Sequence, residues 1–386
     1  MTRKIMVVVT ARASYSRFKT ALEAMNDHAD IDLYLEVAAS ALLDRYGSAD
    51  KFMVKDGFEI HDRVYMVLEG ENQAAMAKTV GIGILELSTI MENLRPDLVV
   101  TIADRYETMA TAISASYLGI PLAHIQGGEV TGNIDEKVRH AITKLADIHL
   151  VANQDSSDRV TKMGEDPASI FITGCPSIDI AARIVKDEDP SCPFNIYEEY
   201  DGSGEKLDLS QGYIVAMQHP VTTEIGFSRQ YVEETLYALQ EFGMPVLWFW
   251  PNVDAGSDWT SKAIRTFREK HNPTNIQFFK NIDGGDFLRL LSNSICIVGN
   301  SSVAIREASY LGVPAVNIGT RQSGRLRGTN TVDVGYDRLE ILEAVKAFVG
   351  TEKSVSSDLY GDGNSGKRIA EILATVKLTT NKKITY

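Results

Sequence analysis

Ala115-Ser-Tyr-Leu-Gly-Ile-Pro-Leu-Ala-His-Ile125 and Ala308-Ser-Tyr-Leu-Gly-Val-Pro-Ala-Val-Asn-Ile318 are two versions of one phrase. They share Ala-Ser-Tyr-Leu-Gly, the proline two residues later and the closing isoleucine. In each, a glycine (Gly119 or Gly312) stands where a helix C-cap wants positive φ, and a proline (Pro121 or Pro314) leads into an apolar run. The grammar is helix, stop, strand. Its recurrence in the two halves of the chain predicts two similar doubly wound α/β halves.

Outward from this phrase, short β-branched runs alternate with helical patterns. Ile5–Val9, Leu33–Val37, Leu98–Ile102 and Leu122–Ile125 are predominantly apolar and read as buried parallel strands covered on both faces. The stretch 181–211 changes character, with Asp187-Glu-Asp-Pro190, Pro193 and Gly202-Ser-Gly204, and reads as a connection. A fresh start follows at Gly212-Tyr-Ile-Val-Ala-Met-Gln-His219, and Val246–Trp250, Ile295–Val298 and Ala315–Ile318 continue the second half. The expected layout is a first Rossmann-like domain over 1–180, a connection over 181–211, a second Rossmann-like domain over 212–365, and a helix and tail over 366–386. That last helix, Gly366-Lys-Arg-Ile-Ala-Glu-Ile-Leu-Ala374, is amphipathic; it either ends the second domain or crosses back to the first.

Composition bounds the function. The chain has 386 residues, 44% of them hydrophobic, enough for two cores. A net charge of −13 argues against a nucleic-acid binder with a broad basic face. An anionic ligand would need a local cluster of Arg and His. Cys175, Cys192 and Cys296 form no CxxC pair and read as reduced thiols of a cytoplasmic protein. The opening Met-Thr-Arg-Lys-Ile-Met-Val-Val-Val reads as a first strand rather than a signal peptide, and no run approaches membrane-spanning length.

In doubly wound sheets ligands sit at the carboxyl ends of the strands, so residues there carry the functional expectation. After the first strand come Arg12, Ser16 and Arg17, either an anion-binding helix start or two solvated arginines. After Leu98–Ile102 comes Asp104-Arg105-Tyr-Glu107, where Asp104 is a helix cap or part of a charged-ligand site. After Leu122–Ile125 come Gln126-Gly-Gly-Glu129 and a helix with Asp135 and Arg139 four apart on one face: a surface ion pair, or a site reached through the glycine loop. The second half offers His219, then Asn252 in Pro251-Asn-Val-Asp-Ala-Gly-Ser257, then Gly299-Asn-Ser301-Ser302 followed by Arg306 and Glu307. Hydroxyls at such a turn suit a diphosphate, and a nearby carboxylate suits a ribose diol. Gly319-Thr-Arg321-Gln-Ser-Gly-Arg325-Leu-Arg327-Gly328 reads as an anion loop, with a solvated basic loop as its alternative. No carboxylate–histidine group has metal-ligand spacing, and no metal or cofactor is expected.

Taken together, RASYS (12–16), DRYE (104–107), GGEVTGNIDEKVRHAITKLAD (127–147), QHPVTTE (218–224), PNVDAGS (251–257), GNSSVAIREA (299–308) and NIGTRQSGR (317–325) resemble the hydrolysing UDP-N-acetylglucosamine 2-epimerases of sialic-acid-type synthesis. The resemblance implies two Rossmann-like domains facing a cleft, as in the B-type glycosyltransferases. It implies elimination of UDP to a 2-acetamidoglycal and rehydration with inversion at C2, giving N-acetylmannosamine. It makes Asp104 and Asp135 the catalytic carboxylates, and Arg12, Ser16, Arg105, His219, Asn252, Ser301, Ser302, Glu307 and Arg321 the UDP contacts; Arg17 and Arg139 join the substrate-binding set. Its implied partners are a UDP-sugar and a second copy of the chain as a homodimer, with no nucleic acid or membrane.

One departure stands out. Some relatives carry a catalytic Glu where this chain has Gln126, and an amide is no general base. Either Glu129 substitutes, or Gln126 orients substrate, or the substrate is a UDP-2,4-diacetamido-trideoxyhexose of the legionaminic-acid route. A retaining glycosyltransferase, a non-hydrolysing epimerase and a UDP-sugar sensor are the rival readings.

Overall fold

A strand that is apolar on both faces needs a layer on each side. The computed structural model, which describes residues 2–44, 47–68, 72–131, 134–187, 194–221, 223–251, 257–280 and 282–385, supplies those layers twice. The chain divides into two compact units: Met1–Glu129, Ile134–Asp179 and Tyr360–Tyr386 form the first, Val130–Asn133 and Ile180–Leu359 the second.

In the first unit the order along the chain is β1 (Arg3–Val9), α1 (Arg12–Asn26), β2 (Ile31–Ala38), α2 (Ala49–Lys55), β3 (Asp62–Val64), α3 (Gln73–Leu94), β4 (Leu98–Ile102), α4 (Thr108–Tyr117), β5 (Leu122–Ile125), α5 (Ile134–Leu145), β6 (Ile148–Val151), α6 (Gln154–Lys162), β7 (Ile170–Ile172) and α7 (Pro176–Asp187), which runs on into the second unit. The seven strands make a parallel sheet ordered β3-β2-β1-β4-β5-β6-β7. Residues alternate between two cores. Ile5, Val7 and Val9 pack with Phe18, Leu22 and Met25 of α1, while Met6 and Val8 pack with Leu87 and Met91 of α3 and Ala110 of α4.

The second unit runs α8 (Ile196–Glu199), β8 (Ile214–Met217), α9 (Ser228–Phe242), β9 (Val246–Phe249), α10 (Ser257–His271), β10 (Ile276–Phe279), α11 (Gly284–Ser292), β11 (Cys296–Gly299), α12 (Glu307–Leu311), β12 (Ala315–Ile318), β13 (Thr331–Val334) and α13 (Arg338–Phe348). Its six strands form a parallel sheet ordered β10-β9-β8-β11-β12-β13, again with a core on each face. Both units are Rossmann-like, and the two helix–Gly–Pro–strand phrases occupy the same place in each, α4–β5 and α12–β12. Gly119 and Gly312 have φ of 65° and 67°, the left-handed stop that the phrase calls for.

The stretch 181–211 is built into the second unit. Ala181, Ile184 and Ile196 belong to the core beside Tyr213, and Ser203 exchanges backbone hydrogen bonds of 2.8 and 3.0 Å with Phe278 on β10. Its polar look concealed Phe194, Tyr197, Tyr200 and Leu207, which pack against that core. The final helix, α14 (Ser365–Thr375), lies in the first unit against α1. Ile369 and Leu373 are fully buried there, and a Cβ on Gly366 would meet the Thr20 carbonyl oxygen at 2.5 Å. Membrane-spanning length also needs amendment: α3 is long and apolar enough to cross a bilayer by length and composition. In the fold, Ala75, Thr79, Gly83, Leu87 and Met91 form its buried stripe, spaced by four on one face.

Glu36 on β2 points with Tyr34 and Ala38 toward the α3 side, where Oε2 is buried without a partner. Burial first, and the Asp62 charge second, push its carboxyl up to about 7. The unfolded chain ionises Glu36 near 4.5 while the fold holds the proton longer, so stability falls between those pH values and stays lower above them. Glu36→Gln, neutral at every pH, should raise Tm at about pH 8 and change it little at about pH 4. Melting curves showing the same difference at both pH values would contradict a carboxyl whose proton is held by burial.

Candidate active site

In the first unit two neighbouring strands end in non-glycine residues held left-handed: Ala103 after β4 (φ 61°) and Gln126 after β5 (φ 64°). Such backbone persists only where its surroundings enforce it. The Ala103 amide donates to the Ile125 carbonyl at 2.9 Å, and the Gln126 amide to Leu150 at 2.9 Å. His124 secures the same turn. Its Nε2 lies 2.9 Å from the Ala103 carbonyl oxygen, which can only accept, so Nε2 carries the proton. Nδ1 faces the Thr143 hydroxyl at 3.2 Å. Burial pushes the His124 pKa down to about 3, so the ring is neutral throughout the working range.

The turn delivers Asp104. This carboxylate is 7% exposed and receives Nη2 of Arg139, which is 1% exposed. Arg139 is therefore no surface group. It reaches from α5 across to the end of β4, and its Nε and Nη1 are buried with no protein acceptor. Asp135 is half-buried one turn earlier on the same helix. Arg105 is held by Glu107, Nη2 to Oε1 at 3.1 Å and Nε to Oε2 at 3.3 Å, with Glu107 fully buried.

Gln126 is 1% exposed. Its Nε2 donates to Cys175 Sγ at 2.9 Å, and that sulfur lies 3.0 Å from the Ser177 hydroxyl. Oε1 is buried without a partner. Glu129 follows, 3% exposed. Gly128 has φ 73°, and a Cβ there would lie 2.3 Å from the Ser156 carbonyl oxygen, so only glycine fits. At the head of α1, Arg12 stacks its guanidinium over Phe52 at 4.6 Å, with Ser16 and Arg17 half-buried beside it.

In the second unit one asparagine joins three loops. Asn300, fully buried after β11, accepts from the His219 amide at 2.7 Å and donates to the His219 carbonyl at 2.9 Å. Its own carbonyl accepts Arg321 Nη1 at 3.2 Å and Gln322 Nε2 at 2.8 Å. The loops after β8, β11 and β12 thus converge, bringing His219, Ser301, Ser302 and Arg321 together. Ser301 caps the following turn, and Ser302 Oγ accepts from Arg306 Nη2 at 2.9 Å. Glu307 is 4% exposed, with Oε2 buried and lacking a hydrogen-bond donor. Arg327 instead pairs with Asp333 at 3.1 Å. The Arg321 loop is anchored from the β8 side: Glu224 accepts from the Thr320 hydroxyl at 2.6 Å and from the Tyr336 hydroxyl at 2.7 Å. Asn252 lies outside the described residues, as does Cys192. Among the described residues no group of three or more His, Cys, Asp or Glu could hold a metal ion.

Sequence reasoning missed His124, Cys175 and the clamping role of Asn300. A histidine inside the otherwise apolar Leu122–Ile125 was the one available signal for the first.

The family model described as UDP-N-acetylglucosamine 2-epimerase matches residues 23–374, and the chain belongs to that family. It is 30% identical over 378 residues to the UDP-N,N'-diacetylbacillosamine 2-epimerase (hydrolyzing) of Legionella pneumophila, covering 98% of this chain and 97% of that one. It is 30% identical over 374 residues to the UDP-N-acetylglucosamine 2-epimerase of Neisseria meningitidis serogroup B, covering 96% and 95%. The fold matches the crystal structure of UDP-GlcNAc 2-epimerase from Neisseria meningitidis bound to UDP-GlcNAc, with TM-score 0.76, 17% identity and coverage of 96% and 99%. It matches equally the Methanocaldococcus jannaschii UDP-GlcNAc 2-epimerase in complex with UDP-GlcNAc and UDP, with TM-score 0.76, 16% identity and coverage of 96% and 99%.

Asn300→Ala removes two side-chain hydrogen bonds and leaves the His219 amide and carbonyl unmatched. It should destabilise the second unit by roughly 1–3 kcal/mol. Urea unfolding that matches the wild-type midpoint would show that the clamp does not hold the loop.

Proposed function

We propose that this family member hydrolyses UDP-N-acetylglucosamine with inversion at C2. The C2–H bond breaks, its electron pair forms the C1=C2 double bond, and UDP departs from C1 with the C1–O pair. Water then adds to the 2-acetamidoglycal, hydroxyl to C1 and proton to C2 from the opposite face, giving N-acetylmannosamine. The observation that carries the reading is Asp104, held at the end of β4 by a buried Arg139 while Asp135 stands one turn away on the same helix as that arginine. Abstracting a weakly acidic C–H needs a base fixed in place, and the second half-reaction needs an acid.

In this reading Asp104 and Asp135 exchange the C2 proton. Arg139 orients Asp104 through Nη2 and offers Nε and Nη1 to substrate oxygens. Gln126 orients the sugar, and Glu129 is the group available for a further proton transfer. Arg12, Ser16, Arg17 and Arg105 are substrate-binding groups of the first unit; His219, Asn252, Ser301, Ser302, Glu307 and Arg321 are UDP contacts of the second. Departure of the diphosphate is eased by the arginines and the small-residue turn after β11. No metal enters the scheme. The protein acts as a cytoplasmic homodimer, a reading supported by the reduced thiols of Cys175 and Cys296 and by the prevalence of twofold oligomers.

The relatives favour a second substrate as well, since one of the two at 30% identity is named for UDP-N,N'-diacetylbacillosamine. Each UDP-sugar is therefore incubated alone with the protein and EDTA, and products are identified by NMR. Release of UDP together with the C2-inverted free sugar is the expected result, and the faster substrate names the pathway. Turnover that needs an added acceptor would point to a glycosyltransferase, and UDP still attached to the inverted sugar to a non-hydrolysing epimerase.

Asp104→Asn and Asp135→Asn should each lower kcat at least ~100-fold, the lower end for removing an acid–base group, while calorimetry still detects UDP binding. Near-normal turnover in both folded variants would move the catalytic pair elsewhere.

A further inference from the structure

α5 carries Asp135 and Arg139 on its first turns, so its placement decides where those groups lie. Like any helix it ends in carbonyls with no partner of its own. Lys144, on its last turn, does not cap them: Nζ turns to the Met163 carbonyl at 3.1 Å and to Glu165 Oε1 at 2.5 Å. The cap comes from the end of the chain. Lys382 Nζ donates to the Thr143 carbonyl at 3.3 Å and to the Ala146 carbonyl. The same ammonium meets Glu165 Oε2, which also faces His149 Nε2 at 3.0 Å. Glu165 is 2% exposed, and the three side-chain donors hold its carboxyl down at about 2 despite burial. The tail is pinned on the far side too. The Thr385 amide donates to the Gly164 carbonyl at 3.0 Å, and its hydroxyl to the Glu165 carbonyl at 3.0 Å.

A cation at a helix C-terminus satisfies orphan carbonyls and complements the helix dipole. Thr143, whose carbonyl takes Lys382, sends its hydroxyl 3.0 Å to the Arg139 carbonyl and faces His124 at 3.2 Å. One turn therefore separates the cap from the Asp104–Arg139 pair.

We propose that the C-terminal tail is a strap, with Lys382 the positioning residue that holds α5, and through it Asp135 and the Asp104–Arg139 pair, in register for proton transfer. Its effect on turnover rests on the function proposed above, while its effect on α5 does not. Three full-length proteins (wild type, Lys382→Met and Lys382→Arg) and a chain ending at Thr380 are compared by amide hydrogen exchange and by kinetics. Lys382→Met and the truncation should speed exchange over 143–147 and lower kcat about tenfold or more, since small misplacements of catalytic groups cost that much, with KM within about twofold. Lys382→Arg, which keeps the cation, should recover most of both. Unchanged exchange over 143–147 overturns the strap, and faster exchange with full kcat overturns its positioning role. If the wild-type protein turns over no UDP-sugar, the functional reading fails and exchange alone decides the strap.

Discussion

A single buried carboxylate governs how the first unit is put together. Asp179 sits on α7 as the last residue of the first unit's Ile134–Asp179 segment. Its oxygens accept the amides of Ser365 and Gly366 at 2.8 and 2.7 Å, and the Thr20 hydroxyl at 3.1 Å. Those two amides open α14, whose own preceding residue, Asn364, makes no side-chain cap. A helix start left without acceptors inside a protein is costly, and a buried carboxylate without donors is costlier. Each removes the other's penalty. Burial alone drives the Asp179 carboxyl upward, and the donated hydrogen bonds oppose that drift. With α14 held, Ile369 and Leu373 complete the core beneath α1.

The catalytic reading depends on the carboxyl ends of that sheet's central strands, where the backbone is forced rather than relaxed. Ala103 and Gln126 lie side by side at the ends of paired strands, both left-handed, both locked by neighbours' carbonyls. A neutral His124 is suited to this work because it donates to the Ala103 carbonyl without adding charge beside Asp104 and Arg139. The resulting ring of contacts (Asp104, Arg139, Thr143, His124, Ala103) closes on itself within one unit. The second unit solves the equivalent problem with a neutral amide, Asn300.

How far the residues announced this is uneven, for physical reasons. β1 and β4 are legible because strands covered on both faces are largely apolar, and β5 and β12, despite His124 and Asn317, because the helix–Gly–Pro phrase leads into them. β6 (Ile-His-Leu-Val), β10 (Ile-Gln-Phe-Phe) and β13 (Thr-Val-Asp-Val) are not, because His149, Gln277 and Asp333 interrupt four-residue runs that no such phrase introduces. Asp104 and Asn300 were visible at strand ends and Arg139 on the helix after β5, but the partners of each were not. The four-residue spacing drew Arg139 toward Asp135, whereas tertiary packing gave it to Asp104. Local patterns carry no record of contacts closed across tens or hundreds of residues, and so Asp179 and Lys382 passed unnoticed.

The return of the chain also sets an order of assembly. The second unit is nearly continuous, from Ile180 to Leu359, whereas the first needs Tyr360–Tyr386 to finish its core. On a ribosome, the half made first is thus the half that must wait. Until α14 emerges, the groove on α1 awaiting Ile369 and Leu373 stays open to water and to other chains, which is where a chaperone would find its client.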